Sequence, residues 1–582
     1  ALMQDQLTYL QRLGVAAARI DSGQSRDETR AVMAQARSGT LKILMISVER
    51  LKNERFRNFI AQVPMSLLVV DEAHCISEWG HNFRPDYLKL PQLQSQLGIE
   101  QTLLLTATAT PAVVADMQTK FAIDQMDVVR TGFYRPNLNL TVVPVSGSER
   151  LPRLAAWLAT RPDQSGIVYV TLQKTAEDVA RYLSQHGIRA QAYHAGMEHV
   201  QRETVQQQFM AGEVRCIVAT IAFGMGIDKG DVRYVVHFDL PKSTEGYSQE
   251  IGRAGRDGQV AHCLVLANLE SLQVLENFVY GDTPEPDGIA TVLADIKAVA
   301  PGLPWEITLT QLSGRSNIRL LPLKTLLVQL ELRGIIAASY AYFADYRFKY
   351  LIAPETLVAR FSGERQQLVQ AILDCAVQSR MWCTLDFDML YQRHRVERSR
   401  GVKALDYFQE QGWVEVQAKQ MTEVYAVCES GFDDRVLGAQ LSNYFLDKER
   451  SEVARIHAML DFLASDQCLS QRLAAYFGDA YAPQHCGHCS VCRGKVAQLP
   501  AAAPLPPLAT RDFAALCDAV MERHQATCGQ VISAEGLTRF LCGVTAPLQT
   551  RLKARGMSGF AALQDYPYAE VRQWVRCKLG AD

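Results

Sequence analysis

Residues 66–74 read SLLVVDEAH, an apolar β-branched run that ends in two adjacent carboxylates, and this stretch decides the fold. A short apolar run without polar alternation is typical of a strand buried on both faces of a parallel sheet. Strands of this kind that alternate with helical patterns predict an α/β fold. Similar runs are LKILMIS (41–47), TLLLTATAT (102–110), GIVYV (166–170), RCIVATIAFG (215–224) and VRYVVHFDL (232–240).

The strand runs fall into two sets. They are separated near TGFYRPNLNL (131–140), where Gly132, Pro136 and two asparagines interrupt the pattern. We therefore predict two stacked α/β domains, residues 1–130 and 131–280. The crevice between such domains, at the carboxyl ends of the strands, is the expected ligand site.

A weak internal repeat follows GDTPEPDG (281–288), a linker rich in Pro, Gly and Asp. LKTLLVQLELRGIIAAS (323–339) and VKALDYFQEQGWVEVQA (402–418) match at an offset of 78 residues, with Gly334 opposite Gly412. Helix, glycine and strand occur twice, each time with a hairpin-like continuation. This pattern predicts tandem winged helices over residues 289–362 and 363–440, with a generic α+β insertion as the alternative.

Composition limits what the chain can be. With 582 residues and 48% hydrophobic content, about three to five domains can each bury a core, which excludes a peptide hormone or a disordered tail. The 60 Lys and Arg balance 62 Asp and Glu, so nucleic acid would be bound by local basic patches. No apolar run approaches the roughly 18 residues that span a bilayer, and we expect a soluble, intracellular protein.

Asp71 and Glu72 directly follow the predicted strand of residues 66–70, at the edge of the sheet where nucleotide phosphates are held. There Asp71 would bind Mg²⁺, and Glu72 would orient and deprotonate the attacking water. An exposed loop pair is the alternative. The segment QEIGRAGRDG (249–258) favours a catalytic role for the two carboxylates over an exposed loop pair. Arg253 and Arg256 share a face if this segment is helical, and they could then reach a γ-phosphate. A glycine-rich loop with solvated arginines is the alternative there.

Residues 1 to about 270 resemble the RecQ family of superfamily 2 DNA helicases, starting at its motif Ia. The resemblance implies two RecA-like motor domains, binding of ATP, translocation 3′ to 5′ on single-stranded DNA, and separation of duplex DNA in replication, recombination or repair. The matching motifs are ALMQDQ (1–6), DEAHCISEWGHNFRPDY (71–87), TATAT (106–110), AYHAGM (192–197), ATIAFGMGID (219–228) and QEIGRAGRDG.

The resemblance also implies roles for individual residues. The catalytic set is Asp71, Glu72 and His74 of the DEAH box with Arg253 and Arg256. The nucleotide-binding set is Gln249, Gly226, Asp228, Thr106 and Thr108, of which the two threonines link the nucleotide to DNA. In the aromatic-rich loop (77–87), bases would stack on Trp79, Phe83 and Tyr87, and Arg84 would meet the phosphate backbone. Ordinary packing between domains is the alternative for these aromatics.

One departure from the family concerns the phosphate-binding loop. A Walker A loop needs Gly-x-x-x-x-Gly-Lys-Ser/Thr, whereas the only Gly-Lys pair here, Gly494-Lys495, is followed by Val. We expect an N-terminal truncation, with the P-loop and the adenine-reading motif upstream of Ala1. Two rivals to a DNA motor are a non-hydrolytic DNA-binding scaffold and an RNA helicase, which contacts to the 2′-OH would distinguish.

Four cysteines crowd between residues 468 and 492. Three thiolates in a CxxCxxC knuckle with a fourth nearby suit tetrahedral Zn²⁺. His488 is a competing ligand, and free buried thiols are the alternative. Because RLAAYFGD (472–479) resembles the RecQ zinc module, the resemblance implies a zinc module over residues 441–495 with an all-cysteine site. Its ligands would be Cys468, Cys486, Cys489 and Cys492.

The order of domains departs from the usual RecQ arrangement, because the winged pair precedes the zinc module. No residue can therefore be assigned as the strand-separating pin. Tyr342, Phe343 and Tyr346 are candidates, and packing is their alternative role. Basic residues in YQRHRVERSRGVK (391–403) either bind duplex phosphates or form a solvated face; they are Arg393, Arg395, Arg398, Arg400 and Lys403.

The C-terminal region follows a stretch rich in Pro and Ala, AQLPAAAPLPPLAT (497–510). We predict a linker over residues 496–509 and a helical tail over residues 510–582. The tail could bind nucleic acid or dock a partner protein. Such a protein is expected in the cytoplasm, with the nucleoid, if bacterial and in the nucleus if eukaryotic.

Overall fold

The computed structural model describes residues 2–21, 24–52, 54–77, 84–224, 227–379, 381–500 and 504–580. Its first lobe, up to residue 130, alternates short parallel strands with helices. The strands are β1 (Ala17–Ile20), β2 (Ile43–Ile46), β3 (Leu67–Val70) and β4 (Gln101–Leu104). The helices are α1 (Leu2–Arg12), α2 (Arg26–Arg37), α3 (Glu54–Ile60), α4 (Leu90–Gln96) and α5 (Pro111–Phe121). β1 pairs with β2 and β3 with β4, each in parallel.

Helix α5 shows how the local sequence shapes this lobe. Thr110 caps its N-terminus by accepting a hydrogen bond from the Val113 N–H, and Pro111 takes the first helical position, where no N–H is needed. Val113, Met117 and Phe121 recur every four residues and are all buried. This apolar face packs into the core beside β3 and β4, directly after the TATAT segment.

The second lobe, residues 131–281, contains one six-stranded parallel sheet in the order β5-β10-β9-β6-β8-β7. Its strands are β5 (Leu138–Pro144), β6 (Ser165–Tyr169), β7 (Ala190–Tyr193), β8 (Cys216–Ala219), β9 (Val232–His237) and β10 (Ala261–Ala267). Its helices are α6 (Arg150–Ala159), α7 (Gln173–Gln185), α8 (His199–Met210), α9 (Thr244–Ile251) and α10 (Leu272–Gly281). Central strand residues such as Ile167, Ile217 and Val235 are fully buried, as continuous apolar runs predict.

The two sequence repeats follow as α+β units. The first comprises α11 (Pro286–Lys297), β11 (Pro304–Thr308), α12 (Leu309–Ser316), α13 (Leu320–Leu332) and β12 (Ile336–Tyr350). The second comprises α14 (Pro354–Ala359), α15 (Gly363–Asp374), β13 (Ala376–Ser379), β14 (Trp382–Leu385), α16 (Phe387–His394), α17 (Arg398–Glu410) and β15 (Val414–Val427). Gly334 and Gly412 both have positive φ, 73° and 70°, so the aligned glycines end equivalent helices.

The two repeats share one five-stranded sheet, in the order β11-β15-β12-β14-β13. β12 and β15 pair antiparallel along their whole length, and each also pairs at one end with a short strand, β14 and β11 respectively. Each long strand thus serves both repeats. The prediction of local hairpins was wrong, because residues 336–350 and 414–427 contain no Gly, Pro or Asn to reverse the chain.

The remaining elements pack back onto the second lobe. A 30-residue helix, α18 (Asp434–Leu463), and α19 (Leu469–Tyr476) share a core with β5, β9 and β10. The C-terminal helices are α20 (Phe513–Cys528), α21 (Ala534–Leu541), α22 (Pro547–Arg551) and α23 (Tyr568–Leu579). They form a core that includes Tyr280 of α10, whose ring stacks on Tyr568 at 4.4 Å. Among the described residues, no helix combines the length and apolar character needed to cross a membrane.

Candidate functional site

Two carboxylates lie at the carboxyl end of β3, where the sequence predicts them. Val70 ends the strand, and Glu72 adopts a left-handed backbone conformation with φ 51°. The Glu72 N–H donates a hydrogen bond to Asp71 Oδ1 at 2.8 Å, which closes the turn. Asp71 and Glu72 both line a cavity of about 1440 Å³ between the two lobes.

A buried histidine connects these carboxylates to the end of β4. His74 is 1% exposed, and its Nδ1 lies 2.9 Å from Thr106 Oγ1 and 3.4 Å from Glu72 Oε2. Thr106 Oγ1 also accepts a hydrogen bond from the Thr108 N–H at 3.3 Å. Hydrogen bonds and the close His74–Glu72 contact therefore connect the predicted site residues of the first lobe, which are Asp71, Glu72, His74, Thr106 and Thr108.

The second lobe reaches the same cavity through α9. Gln249, in the last turn of that helix, donates from Nε2 to Glu72 Oε1 at 3.4 Å. This contact joins residues that are 177 positions apart in the sequence. Among the other residues lining the cavity are Arg130, Arg135, Gly224, Asp228, Arg253 and Arg256.

The two predicted arginines lie in turns that follow α9. The expectation that they share a helical face was wrong, because the helix has ended and Gly255 takes a positive φ of 56°. Both nevertheless contact the loop after β8. Arg253 donates to the Gly224 carbonyl, and Arg256 donates to Asp228 Oδ1 at 2.8 Å.

The cavity changes the acid–base behaviour of Glu72. Burial is the main cause that raises its pKa above the ordinary value, and the adjacent Asp71 carboxylate adds to the rise. The positive charge of Arg253 acts in the opposite direction. A carboxylate with a raised pKa is a stronger base, which suits a group that must take a proton from water.

Within the aromatic-rich loop, the structure describes Ser77 and residues 84–87. Arg84 donates its N–H to the Cys75 carbonyl at 3.4 Å. Tyr87 packs against the core of the first lobe, and burial raises the pKa of its hydroxyl to about 12. The DNA contacts of Arg84 and Tyr87 stay predictions. Trp79, Phe83 and Gly226, and the side chains of Tyr342 and Phe343, lie outside the described residues.

The basic stretch of the second repeat makes local contacts. The Arg398 guanidinium lies 4.0 Å from the centre of the Phe387 ring, and Arg400 pairs with Glu364 at 3.0 Å. The Tyr346 ring of the first repeat meets the Phe387 ring edge to face at 5.7 Å, so Tyr346 packs against the second repeat. Binding of duplex phosphates by these arginines remains a prediction.

Four cysteine side chains converge beside the edge strand β5. The Sγ atoms of Cys468, Cys486, Cys489 and Cys492 all lie within 4.8 Å of one another. Zn–S bonds of about 2.3 Å in a tetrahedron place sulfurs roughly 3.8 Å apart. The measured separations of 4.0 Å for Cys486–Cys492 and Cys468–Cys489 fit that geometry.

The knuckle geometry supports thiolates at this site. The N–H groups of Cys486, Cys489 and Cys492 each donate to the sulfur of another cysteine of the set, at 3.2 to 3.4 Å. Such hydrogen bonds stabilise negative charge on sulfur. His488, the competing ligand, turns elsewhere, with Nε2 3.5 Å from the Tyr134 hydroxyl.

Sequence reasoning missed a group of residues that surrounds the arginine turn. Arg135 and Asn137, just before β5, donate side-chain hydrogen bonds to carbonyls of residues 254–259. Asp479 accepts from two backbone N–H groups between the lobes. Their partners are more than 100 residues distant, so no local pattern identifies them. Asp479 lies in the RLAAYFGD segment (472–479), whose resemblance to the zinc module gives this residue no role of its own.

Three protein families match the chain in sequence order. The DEAD/DEAH box helicase family matches residues 1–117, and the helicase conserved C-terminal domain matches residues 149–258. The RecQ zinc-binding family matches residues 433–493, which contain all four cysteines. The first two matches cover the two α/β lobes that the strand pattern predicts, and they agree with the resemblance to superfamily 2 helicases.

Curated relatives narrow the class. The ATP-dependent DNA helicase RecQ of Pasteurella multocida is 41% identical over 265 residues, covering 46% of this chain and 42% of the relative. The Bacillus subtilis protein of the same name is 38% identical over 275 residues, covering 47% and 46%. The chain thus spans under half the length of these relatives. A solved structure, S. cerevisiae Dbp5 bound to RNA and ADP BeF3, matches 48% of this chain and 72% of that chain at 16% identity and a TM-score of 0.37.

Two helicase-domain matches and a RecQ zinc-binding match occur together in this chain. The two lobes are thus similar to those of RecQ DNA helicases, and the cysteine segment matches the RecQ zinc-binding family. The two α+β repeats, which share one sheet, lie between the second lobe and the four cysteines.

Proposed function

We propose that the protein is an ATP-dependent DNA helicase that moves 3′ to 5′ along single-stranded DNA and separates the duplex. One observation carries this proposal: Glu72 of the first lobe and Gln249 of the second meet across a cavity lined by both predicted arginines. A site built from two lobes changes when the lobes move. Nucleotide turnover can therefore be coupled to stepping along a strand.

The side chains suit phosphoryl transfer, in which positioning and charge stabilisation do most of the work. Glu72 orients the attacking water and takes its proton. Arg253 and Arg256 approach the γ-phosphate from the second lobe and stabilise its charge, once released from their present backbone and Asp228 contacts. Asp71 would hold Mg²⁺, which neutralises phosphate charge when bound.

The nucleic-acid side of the proposal rests on the first lobe. The hydrogen-bonded pair of His74 and Thr106 connects the carboxylates to the segment that the family uses between nucleotide and DNA. Arg84 and Tyr87, with Trp79 and Phe83, would contact the strand through phosphate and base stacking, worth about 1 to 3 kcal/mol per base. Both single-stranded DNA and the duplex ahead of it are proposed substrates.

The test is hydrolysis of ATP by the native protein, with and without single-stranded DNA. We expect DNA to stimulate turnover and Glu72→Gln to abolish it, because the amide cannot accept the proton. Glu213→Gln is the matched control, since Glu213 is exposed in the second lobe and does not line the cavity. Duplexes with a 3′ or a 5′ overhang then report polarity, and we expect unwinding only from the 3′ overhang.

Two results would contradict the proposal in different ways. DNA binding without any ATP turnover would indicate a non-hydrolytic scaffold. Stimulation by an RNA strand that equals or exceeds that by DNA of the same sequence would indicate an RNA helicase.

A further inference from the structure

The zinc-binding segment contacts, through one carboxylate, the stretch that connects the two lobes, residues 131–137, which we call the hinge. Asp479 Oδ2 accepts hydrogen bonds from the Phe133 N–H at 2.7 Å and the Tyr134 N–H at 3.2 Å. Two residues earlier, the Phe477 ring stacks on the Phe133 ring, with centroids 4.4 Å apart and planes 10° from parallel. The hinge is thus held by a charged acceptor and an aromatic face from the same short segment.

Side chains of the hinge also hydrogen-bond to the backbone turn that contains Arg256. Arg135 donates from Nη2 to the carbonyls of Ala254 and Gly255 at 3.0 and 2.9 Å. Asn137 donates from Nδ2 to the Gly255 carbonyl at 2.8 Å, and also to that of Gln259 at 2.9 Å. These bonds bracket Arg256 on both sides, so the position of the hinge sets the position of this turn.

A second contact from the same segment reaches α9. The Tyr476 hydroxyl donates to Glu245 Oε1 at 2.7 Å. Glu245 lies in the first turn of α9, is 3% exposed, and its other oxygen has no hydrogen-bond partner among the described residues. A buried carboxylate with so few donors depends strongly on each one. Tyr476 therefore anchors the helix that presents Gln249.

We propose that Tyr476 and Asp479 are positioning residues that set the orientation of the hinge and of α9, and through them the arginine turn, relative to the first lobe. The inference rests on the proposed helicase function for its kinetic consequence. Its structural content, that a four-residue stretch next to the zinc site fixes both elements, stands apart from catalysis. Zinc then contributes to ATP turnover indirectly, because it orders the segment from which both contacts extend.

The first arm of the test measures hydrogen exchange at the hinge. Asp479→Asn removes the charge that strengthens two N–H bonds, so we expect the amides of residues 131–137 to exchange about tenfold faster. Zinc content should not change. Asp466→Asn is the matched control, because Asp466 is an exposed aspartate of the zinc-binding segment. Unchanged hinge exchange in Asp479→Asn, or an equal change in the control, overturns the proposal.

The second arm separates positioning from loss of structure. Tyr476→Phe keeps the ring and removes only the hydroxyl, and Tyr481→Phe is its control because Tyr481 is 98% exposed. If fewer molecules hold α9 and the hinge in the binding-competent arrangement, the apparent affinity for ATP falls by that fraction. We expect KM for ATP to rise about tenfold, with kcat close to the parent value. A fall in kcat at unchanged KM means a smaller folded fraction and overturns the proposal.

Combining the variants tests whether the two contacts act together. If both work through one arrangement, Tyr476→Phe with Asp479→Asn should raise KM by less than the product of the single effects. Full multiplication of the two effects overturns a shared arrangement. If the parent protein shows no ATP turnover, the proposed helicase function fails, and the exchange measurement alone decides the role of Asp479.

Discussion

At the scale of the residue, the charges around Glu72 govern when it can act as a base. Burial and Asp71 raise its pKa, whereas Arg84 and Arg253 lower it. Only the ionised form accepts a proton, so ATP hydrolysis should fall as pH drops through this raised pKa. We therefore expect the acid limb of the kcat/KM profile to lie above the ordinary range for glutamate.

Arg84→Gln tests the direction of this effect. Removal of a positive charge disfavours the carboxylate, so the pKa of Glu72 should rise further and the acid limb should move to higher pH. The measurement is the pH dependence of ATP hydrolysis without DNA, which keeps any DNA contact of Arg84 out of the comparison. Arg30→Gln, at an exposed site of the first lobe, should leave the limb in place. A shift to lower pH in Arg84→Gln would contradict the electrostatic account.

At the scale of the element, the two α+β repeats depend on two equivalent glycines. Gly334 and Gly412 both have left-handed backbone conformations with no atom within 4 Å of an added Cβ. An alanine at either site meets no steric clash, but its left-handed backbone conformation costs roughly 1 to 2 kcal/mol of folding free energy. We expect Gly334→Ala and Gly412→Ala to destabilise the protein by similar amounts in urea unfolding.

A third glycine supplies the control. Gly314 lies inside α12, has no unusual φ and also has open space around an added Cβ. Alanine is the better helix former by roughly 1 kcal/mol, so Gly314→Ala should stabilise the repeat. Opposite signs at Gly334 and Gly314 identify backbone conformation as the cause. Unequal effects at Gly334 and Gly412 would contradict the equivalence of the repeats.

The cysteine knuckle is a second element whose role can be tested directly. Cys468 and Cys489 are buried in the core shared by α18, α19 and the strands of the second lobe. Cys489→Ser should lose zinc and lower the melting temperature, because metal binding contributes to folding in such sites. Zinc content and thermal unfolding measure both effects. Cys428→Ser, at an exposed cysteine outside the cluster, should retain zinc, and retention of zinc by Cys489→Ser would contradict the four-thiolate site.

At the scale of the whole molecule, the C-terminal helices join the second lobe to the α+β repeats. Arg539 of α21 is 2% exposed and pairs with Glu285, in the link between α10 and α11, at 3.2 Å. It also donates to the Thr283 carbonyl at 2.5 Å, and Arg319 of the first repeat donates to the Thr545 carbonyl at 2.7 Å. The tail is therefore docked at the junction of the two units.

Arg539→Met tests this junction. Removing one partner of a buried ion pair costs about 3 to 5 kcal/mol, since the other charge stays buried. We expect the C-terminal helices to detach and the Pro-rich segment before them to become sensitive to limited proteolysis. Arg576→Met, at an exposed arginine of α23, should remain resistant. Equal resistance in both variants would contradict a docking role for Arg539.

The sequence alone determined the features that depend on local pattern. Apolar runs ending in DEAH and TATAT indicated parallel strands with polar residues at their carboxyl ends, and the spacing of cysteines indicated a metal site. Gly334 and Gly412 revealed the repeat. These signals are readable because strand burial, chelation and helix termination are decided within about 20 residues of chain.

The tertiary structure alone decided how these pieces meet. β12 and β15 could be recognised as strands, but that each serves both repeats follows from long-range pairing, from Ile336 with Val427 to Tyr350 with Val414. The contact of Gln249 with Glu72, and the bonds from Asp479 to the hinge, join segments 177 and more than 300 residues apart. No local periodicity encodes such contacts, since they form only when separately folded lobes pack and bring their edges together.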